Sequence, residues 1–173
     1  DSEASGVMFT VDPVTNNKRT FVIEAIWGLG EFIVQGTVTP DHYEVDKSSF
    51  KITQKIIAKQ PIKLIKKDGR NLTVKVSLKE QEKQKLADKL IIELARLGKK
   101  IHHHYFFPQD IEWALYRGKI YILQTRPVTT IESQKSKVKS QKSTIKEEKD
   151  ELSHLKLLIK GDSASPRIGT GYA

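Results

Sequence analysis

Cysteine is absent from the 173 residues, and methionine occurs once, at Met8. A chain without cysteine has no disulfide framework, no thiolate metal site and no cysteine nucleophile. That fits a reducing cytoplasm, the compartment expected here. Long apolar runs are missing as well. None approaches the roughly 18 residues that cross a bilayer, and Asp1-Ser-Glu-Ala-Ser5 lacks the basic and apolar parts of a signal peptide, so no membrane partner is expected. There is no initial methionine, and the chain is read as an excerpt.

Aromatic residues are sparse, at 8%, and this bears on the formal charge of +9. Clustered lysines bind a nucleic-acid backbone whatever its sequence, so the clustering decides what the charge means. Much of the excess lies between Lys51 and Lys75, where Lys51, Lys55, Lys59, Lys63, Lys66, Lys67, Arg70 and Lys75 face only Asp68. These lysines alternate with Ile52, Ile56, Ile62, Leu64 and Ile65. The alternation reads as the solvated face of edge strands, which lysine protects from pairing with other chains. A nucleic-acid groove is the competing reading, and it lacks aromatics among the lysines for bases to stack on.

Residues 6 to 12 and 20 to 27 are strand-like runs around a turn at Pro13 to Lys18, which predicts a hairpin. Gly28, Gly30 and Gly36 bracket a short helical or irregular segment from Glu31 to Gln35. A strand follows at His42 to Val45, and further short strands run to Val76. Ser77-x-x-Glu80 has the form of a capping box, and Leu86, Leu90, Ile91, Leu94, Leu97 and Ile101 recur behind it at helical spacing, predicting one amphipathic helix of about 25 residues. A second hairpin is predicted from Gln109 to Tyr116 and Lys119 to Thr125. The expected fold is α+β, mostly antiparallel sheet with one long amphipathic helix. Residues 133–151 are almost wholly Lys, Ser, Gln and Glu, a composition expected of a flexible linker, and residues 152–173 regain apolar character like the start of another domain.

The second hairpin carries the clearest chemical pattern. Asp110 and Glu112 alternate with Ile111, Trp113 and Leu115, while Gln124 and Arg126 alternate with Leu123 and Thr125. A three-residue loop at Arg117 to Lys119 with Gly118 left-handed would set Glu112 opposite Gln124, with Cβ atoms about 5 Å apart. Two oxygens so placed can share a hard cation, and Arg126 on the same face would aim a guanidinium at phosphates. An ordinary solvated hairpin face carries such groups too, so spacing alone leaves both readings open. Gly28-Leu-Gly30 is not a dinucleotide fingerprint, since position 33 is Ile33; a tight turn accounts for it as well as a phosphate contact does. His102, His103 and His104 are consecutive, and consecutive helical side chains diverge too far to share one ion.

Taken together, Ser5-Gly-Val-Met-Phe-Thr10, Trp27-Gly-Leu-Gly-Glu31 with Val34-Gln-Gly36, Thr39-Pro-Asp41, Pro108-Gln-Asp-Ile-Glu-Trp-Ala114 and Ile122-Leu-Gln-Thr-Arg-Pro127 resemble the ATP-grasp domain of phosphoenolpyruvate synthases and pyruvate phosphate dikinases, with rifampicin phosphotransferases as relatives. The resemblance implies the C-terminal portion of an ATP-grasp domain over residues 1–132. It implies ATP and Mg2+ as ligands, with Glu112 and Gln124 on the metal and Arg126 on the transferring phosphates. Residues 152–173, ending in Ser165-Pro-Arg-Ile-Gly-Thr-Gly171, are similar to the first strand of a swivelling phosphohistidine domain. The implied partners are ATP and further domains of one polypeptide: an upstream nucleotide lobe, the phosphohistidine domain and a pyruvate-binding barrel. The implied reaction is phosphoenolpyruvate synthesis from pyruvate, ATP and water, beginning with transfer onto a carrier histidine outside this chain. A related dikinase acting on an antibiotic or a glucan, and a non-catalytic basic module binding nucleic acid, are the alternatives. Glu24, Glu31, Asp41 and Asp110 are left without roles.

Overall fold

A computed structural model describes residues 2–128, in which six strands form an antiparallel sheet with one long helix packed on a single face. The α+β expectation is met. The expected linker at 133–151 and the domain start at 152–173 lie outside the described residues.

The first hairpin joins β1 (Ala4–Phe9) to β2 (Thr20–Trp27), and β3 (Asp41–Asp46) and β4 (Ile52–Ile56) continue the meander from β2. The second hairpin, numbered β7 (Gln109–Tyr116) and β8 (Lys119–Pro127), returns to pair with the free side of β1, giving the order β4-β3-β2-β1-β7-β8. Between the two halves, β5 (Ile62–Lys67) and β6 (Arg70–Lys75) form a separate two-stranded sheet. The lysine-rich stretch therefore supplies one edge of the main sheet and an exposed ribbon, with most of its side chains in solvent.

Period-two alternation sets the core. Met8, Phe21, Ile23, Tyr43, Val45, Ile111 and Trp113 all point to one side of the sheet, where helix α2 (Asp88–Tyr105) covers them with Ile91, Leu94 and Ala95. Helix α1 (Glu31–Val34) and β5 cover part of the opposite side, over Ile26. Among the described residues no helix is long and apolar enough to cross a membrane.

Two expectations are corrected. The helix is 18 residues long and begins at Asp88, eleven residues after Ser77. Ser77 does donate to Glu80 at 2.8 Å and Gln81 N–H bonds the Ser77 carbonyl as in a helical turn, but Lys85 N–H is drawn away to the Asp41 carboxylate at 2.9 Å. A helix through this stretch would need that amide for its own ladder. The second correction concerns the turn of the second hairpin. Arg117 and Gly118 both have positive φ, 49° and 68°, and Tyr116 pairs with Lys119, so the loop has two residues. That geometry matches the right-handed twist of the strands.

Candidate functional site

Beyond the tight turn, the ladder slips by one residue between Glu112 and Trp113, leaving Leu123 without a partner, and the slip restores Glu112 opposite Gln124. The pairing that the alternation suggested is present, reached through a two-residue turn plus a bulge instead of a three-residue loop. Leu123 was expected on the apolar face with Ile111 and Trp113. It is instead 64% exposed and lines a groove on the other side of the hairpin.

Residues directly opposite one another share a face, so the site can be read across the sheet in rows. One row runs Gln124, Glu112, Val7, Glu24, His42. The next runs Arg126, Asp110, Phe9, Val22, Glu44. On the other flank lie Tyr121, Ala114, Ser5 and Ile26. The face that α2 leaves uncovered thus gathers four carboxylates, Glu24, Glu44, Asp110 and Glu112, in a chain whose net charge is +9. Alternation supplied Glu112, Gln124 and Arg126; Glu24, which the sequence left without a role, and His42, which it did not single out, come from strands 70 or more residues away along the chain.

Within these rows the groups are tied unequally. Arg126 Nε donates to Asp110 Oδ2 at 2.8 Å, and this contact raises the guanidinium further above its already high range. The other oxygen, Asp110 Oδ1, is buried and has no partner. His42 Nε2 lies 3.5 Å from Glu44 Oε1. Burial pushes the Glu24 carboxyl up, and the facing His42 works against that shift. Beside these rows lies a groove of about 550 Å³ lined by Leu29, Gly30, Ala114, Tyr116, Tyr121 and Leu123, among others.

Other singled-out residues fall elsewhere. Gly28, with φ of 82°, accepts Ser2 and Ser5 hydroxyls on its carbonyl and bridges to Leu64, whose carbonyl oxygen a Cβ at position 28 would overlap. The glycine serves a backbone crossing. Glu31 accepts both contacts of the Asn71 amide, at 2.9 and 3.1 Å, tying α1 to β6. Asp41 is fully buried against Lys85. His102 reaches Thr10, Nδ1 to Oγ1, at 2.9 Å. Among the described residues no group of three or more His, Cys, Asp or Glu converges on a metal position; Glu112 and Gln124 offer one carboxylate and one amide oxygen, a pair that such a grouping does not include.

Comparison with known proteins shows the family. Residues 1–148 match the family model described as pyruvate phosphate dikinase, AMP/ATP-binding domain. The phosphoenolpyruvate synthase of Pyrococcus furiosus is 46% identical across 99% of this chain, which spans 21% of that protein. The probable phosphoenolpyruvate synthase of Methanocaldococcus jannaschii is 44% identical across 99% of the chain and 14% of its own length. The rifampicin phosphotransferase of Bacillus cereus is 41% identical across 75% of the chain and 15% of its own length. The chain thus spans about a fifth or less of the curated relatives it matches.

Proposed function

The chain belongs to the pyruvate phosphate dikinase AMP/ATP-binding family, and on that premise we propose that residues 1–132 are the C-terminal portion of an ATP-grasp domain whose polar sheet face holds ATP and Mg2+. Glu112 and Gln124 hold the cation, and Arg126 contacts a phosphate oxygen. The observation that carries this reading is the register: Glu112 opposite Gln124, with Arg126 one row on. Carboxylate and amide oxygens are the hard donors Mg2+ takes, and two of them leave its other octahedral positions to phosphates and water. The orphaned Asp110 Oδ1 in the next row is a further acceptor suited to a hydrated cation. When bound, Mg2+ supplies charge neutralisation that lets phosphates approach an acidic face. Arg126 adds a planar, permanently charged donor set for the phosphoryl group in flight. The groove of Leu29, Ala114, Tyr121 and Leu123 continues the same face with apolar surface, the environment a nucleotide base requires.

In this reading the face serves the first step, in which a carrier histidine elsewhere in the enzyme takes the β- and γ-phosphates of ATP together as AMP leaves, water then releasing the outer phosphate and leaving a phosphohistidine. The enzyme is a phosphoenolpyruvate synthase, converting ATP, pyruvate and water to AMP, phosphoenolpyruvate and phosphate. Supporting it, the phosphoenolpyruvate synthases match 99% of the chain. A related dikinase with another acceptor is the second reading, favoured by the 41% match to a rifampicin phosphotransferase over 75% of the chain. The test is the full-length protein with ATP labelled at the β-phosphate. Label should appear on protein and be discharged by pyruvate. Discharge by rifampicin and not pyruvate would establish the second reading, and no labelling at all would refute both.

A further inference from the structure

A second cavity lies away from the polar face, where the end of β2 meets the segment between β6 and α2. It measures about 290 Å³ and is lined by Glu3, Trp27, Lys63, Val76 and Glu80. Trp27 shares its row with Ala4 and Leu115 and packs against the core under α2, so its side chain lies on the opposite side of the sheet from Glu112. Two buried amides build the walls. Gln60, fully buried, accepts the Trp27 N–H on Oε1 at 2.8 Å and gives its Nε2 to the Trp27 and Ile62 carbonyls at 3.0 and 2.9 Å. Gln81 donates to the Val76 carbonyl at 3.0 Å, and its own carbonyl takes the Gln60 N–H at 2.8 Å. The indole N–H of Trp27 goes to the Glu80 carbonyl at 3.3 Å. The residue is therefore held by its backbone and by its ring nitrogen, and what it has left to offer the cavity is a π surface.

The charges around that ring are not spent on one another. Among the described residues the Glu3 carboxylate has no hydrogen-bond or ion-pair partner, and neither has the Lys63 ammonium of the same wall. Glu80 takes the Ser77 hydroxyl on Oε2 at 2.8 Å, which leaves Oε1 over. Two carboxylates against one ammonium make the cavity anionic in a chain of net charge +9. An aromatic face attracts a cation through its quadrupole, and a guanidinium, flat and weakly hydrated, is the cation that loses least on leaving water for it. A hard metal ion gains nothing from an indole wall. A nucleotide would meet like charge, and the volume lies at the lower limit of small-molecule pockets, room for a group the size of one basic side chain.

We propose that this cavity is a second binding site, which takes an alkylguanidinium against the Trp27 ring with Glu3 and Glu80 as its counter-charges. The site is separate from the ATP and Mg2+ reading and does not depend on it. The same chemistry has two sources. One is a free small molecule; the other is an arginine side chain from the larger part of the polypeptide that the relatives carry beyond the 21% spanned here.

The test is an NMR titration of the 173-residue chain, 15N-labelled at tryptophan, with butylguanidinium as the probe and neutral butylurea, of the same shape, as its control. Trp27 and Trp113 are the two tryptophans, and Trp113, 1% exposed in the core, is the internal reference. Butylguanidinium should shift the Trp27 indole signal saturably and leave Trp113 in place, while butylurea moves neither. Glu3→Gln combined with Glu80→Gln, both at exposed positions, should weaken the probe's binding by about ten-fold, as loss of two exposed counter-charges implies. An unmoved Trp27, an equal response to butylurea, or full affinity in the double variant would each overturn the proposal. Equilibrium dialysis with radiolabelled butylguanidinium then separates the sources. Binding that the double variant weakens in the full-length protein as it does in the chain identifies a free ligand. Binding by the chain and none by the full-length protein identifies a side chain of the same polypeptide as the occupant.

Discussion

Asp41 and Asp110 are aspartates buried in the same sheet, each beside a cationic side chain, and their surroundings treat them in opposite ways. Asp41 Oδ1 receives the Lys85 ammonium at 2.7 Å and the Ala58 N–H at 2.9 Å; Oδ2 receives the Tyr43 hydroxyl at 2.7 Å and the Lys85 N–H at 2.9 Å. Both charged side chains are sealed from solvent. Burial and this carboxylate together hold the Tyr43 hydroxyl protonated far above its usual range. Asp110 meets one donor, and the guanidinium that supplies it stands mostly in solvent. Burial alone does not distinguish the two. What distinguishes them is the count of donors: a carboxylate with every lone pair answered can only hold strands together, whereas one with an oxygen left over retains capacity for a ligand.

Replacing Asp41 by Ala should break the comparison most violently. It strands the Lys85 ammonium in the interior and orphans three further donors, so unfolding free energy should fall by about 3–5 kcal/mol, the usual cost of removing one partner of a buried ion pair. Urea denaturation of the purified chain reads this directly. Asp110→Ala in the same assay should cost far less, since Arg126 simply returns to water. Equal losses would mean that both pairs are structural.

Glu112→Ala comes next and acts on chemistry alone. In the full-length protein, ATP-dependent labelling should slow by on the order of 100-fold or more, about 2.7 kcal/mol of lost transition-state stabilisation, with an unchanged unfolding midpoint. Near-normal labelling would remove Glu112 from the site. Arg126→Lys should slow the same step by roughly ten-fold, because an ammonium lacks both the Nε that Asp110 holds and the planar fork offered to phosphate. A lysine that matched arginine would show that only charge is required at position 126.

How far the sequence reveals this arrangement depends on the range of the contacts. Alternation is local, so the two hairpins and the shared face of Glu112, Gln124 and Arg126 can be read from it. The same pattern placed Asp110 on that face, and its pairing with Arg126 was within reach of the register argument. The bulge was not, because Leu123 is an unremarkable member of an alternating run and nothing beside it marks where the ladder slips. Asp41 and Lys85 are 44 residues apart, and nothing near either one announces the other. That same long-range pair is why the capping box at Ser77 misled: the Lys85 amide answers Asp41, and the helix waits until Asp88. The row from Glu24 to Glu112 likewise exists only because β7 returns to the free side of β1.

The smallest expected effect tests a third polar joint, placed between the two extremes. Thr10 Oγ1 accepts the Gln109 N–H at 2.7 Å, so its own proton is free to go to His102 Nδ1, 2.9 Å away. That arrangement needs a neutral imidazole. Partial burial, with the Lys47 ammonium and His103 facing it, lowers the His102 pKa from its ordinary value. The sign follows from linkage: a histidine with a lowered folded pKa adds stability that is complete above about pH 6.5, the unfolded value, and is lost as pH falls below it. Burial also pushes Lys47 down, to about 8, so it is charged throughout the acid range and adds no slope there. Glu24 is shifted the other way, since a raised carboxyl pKa favours the fold as pH falls. The raw pH profile therefore mixes opposite slopes, and the informative quantity is the difference between wild type and His102→Gln, whose amide oxygen can still accept from Thr10. Urea midpoints measured from pH 7.5 down to 5.5 should converge or cross as the wild type loses its advantage. Parallel profiles would show that His102 protonates without disturbing Thr10, and that the joint beside Asp110 is as indifferent to charge as Asp41 is intolerant of its loss.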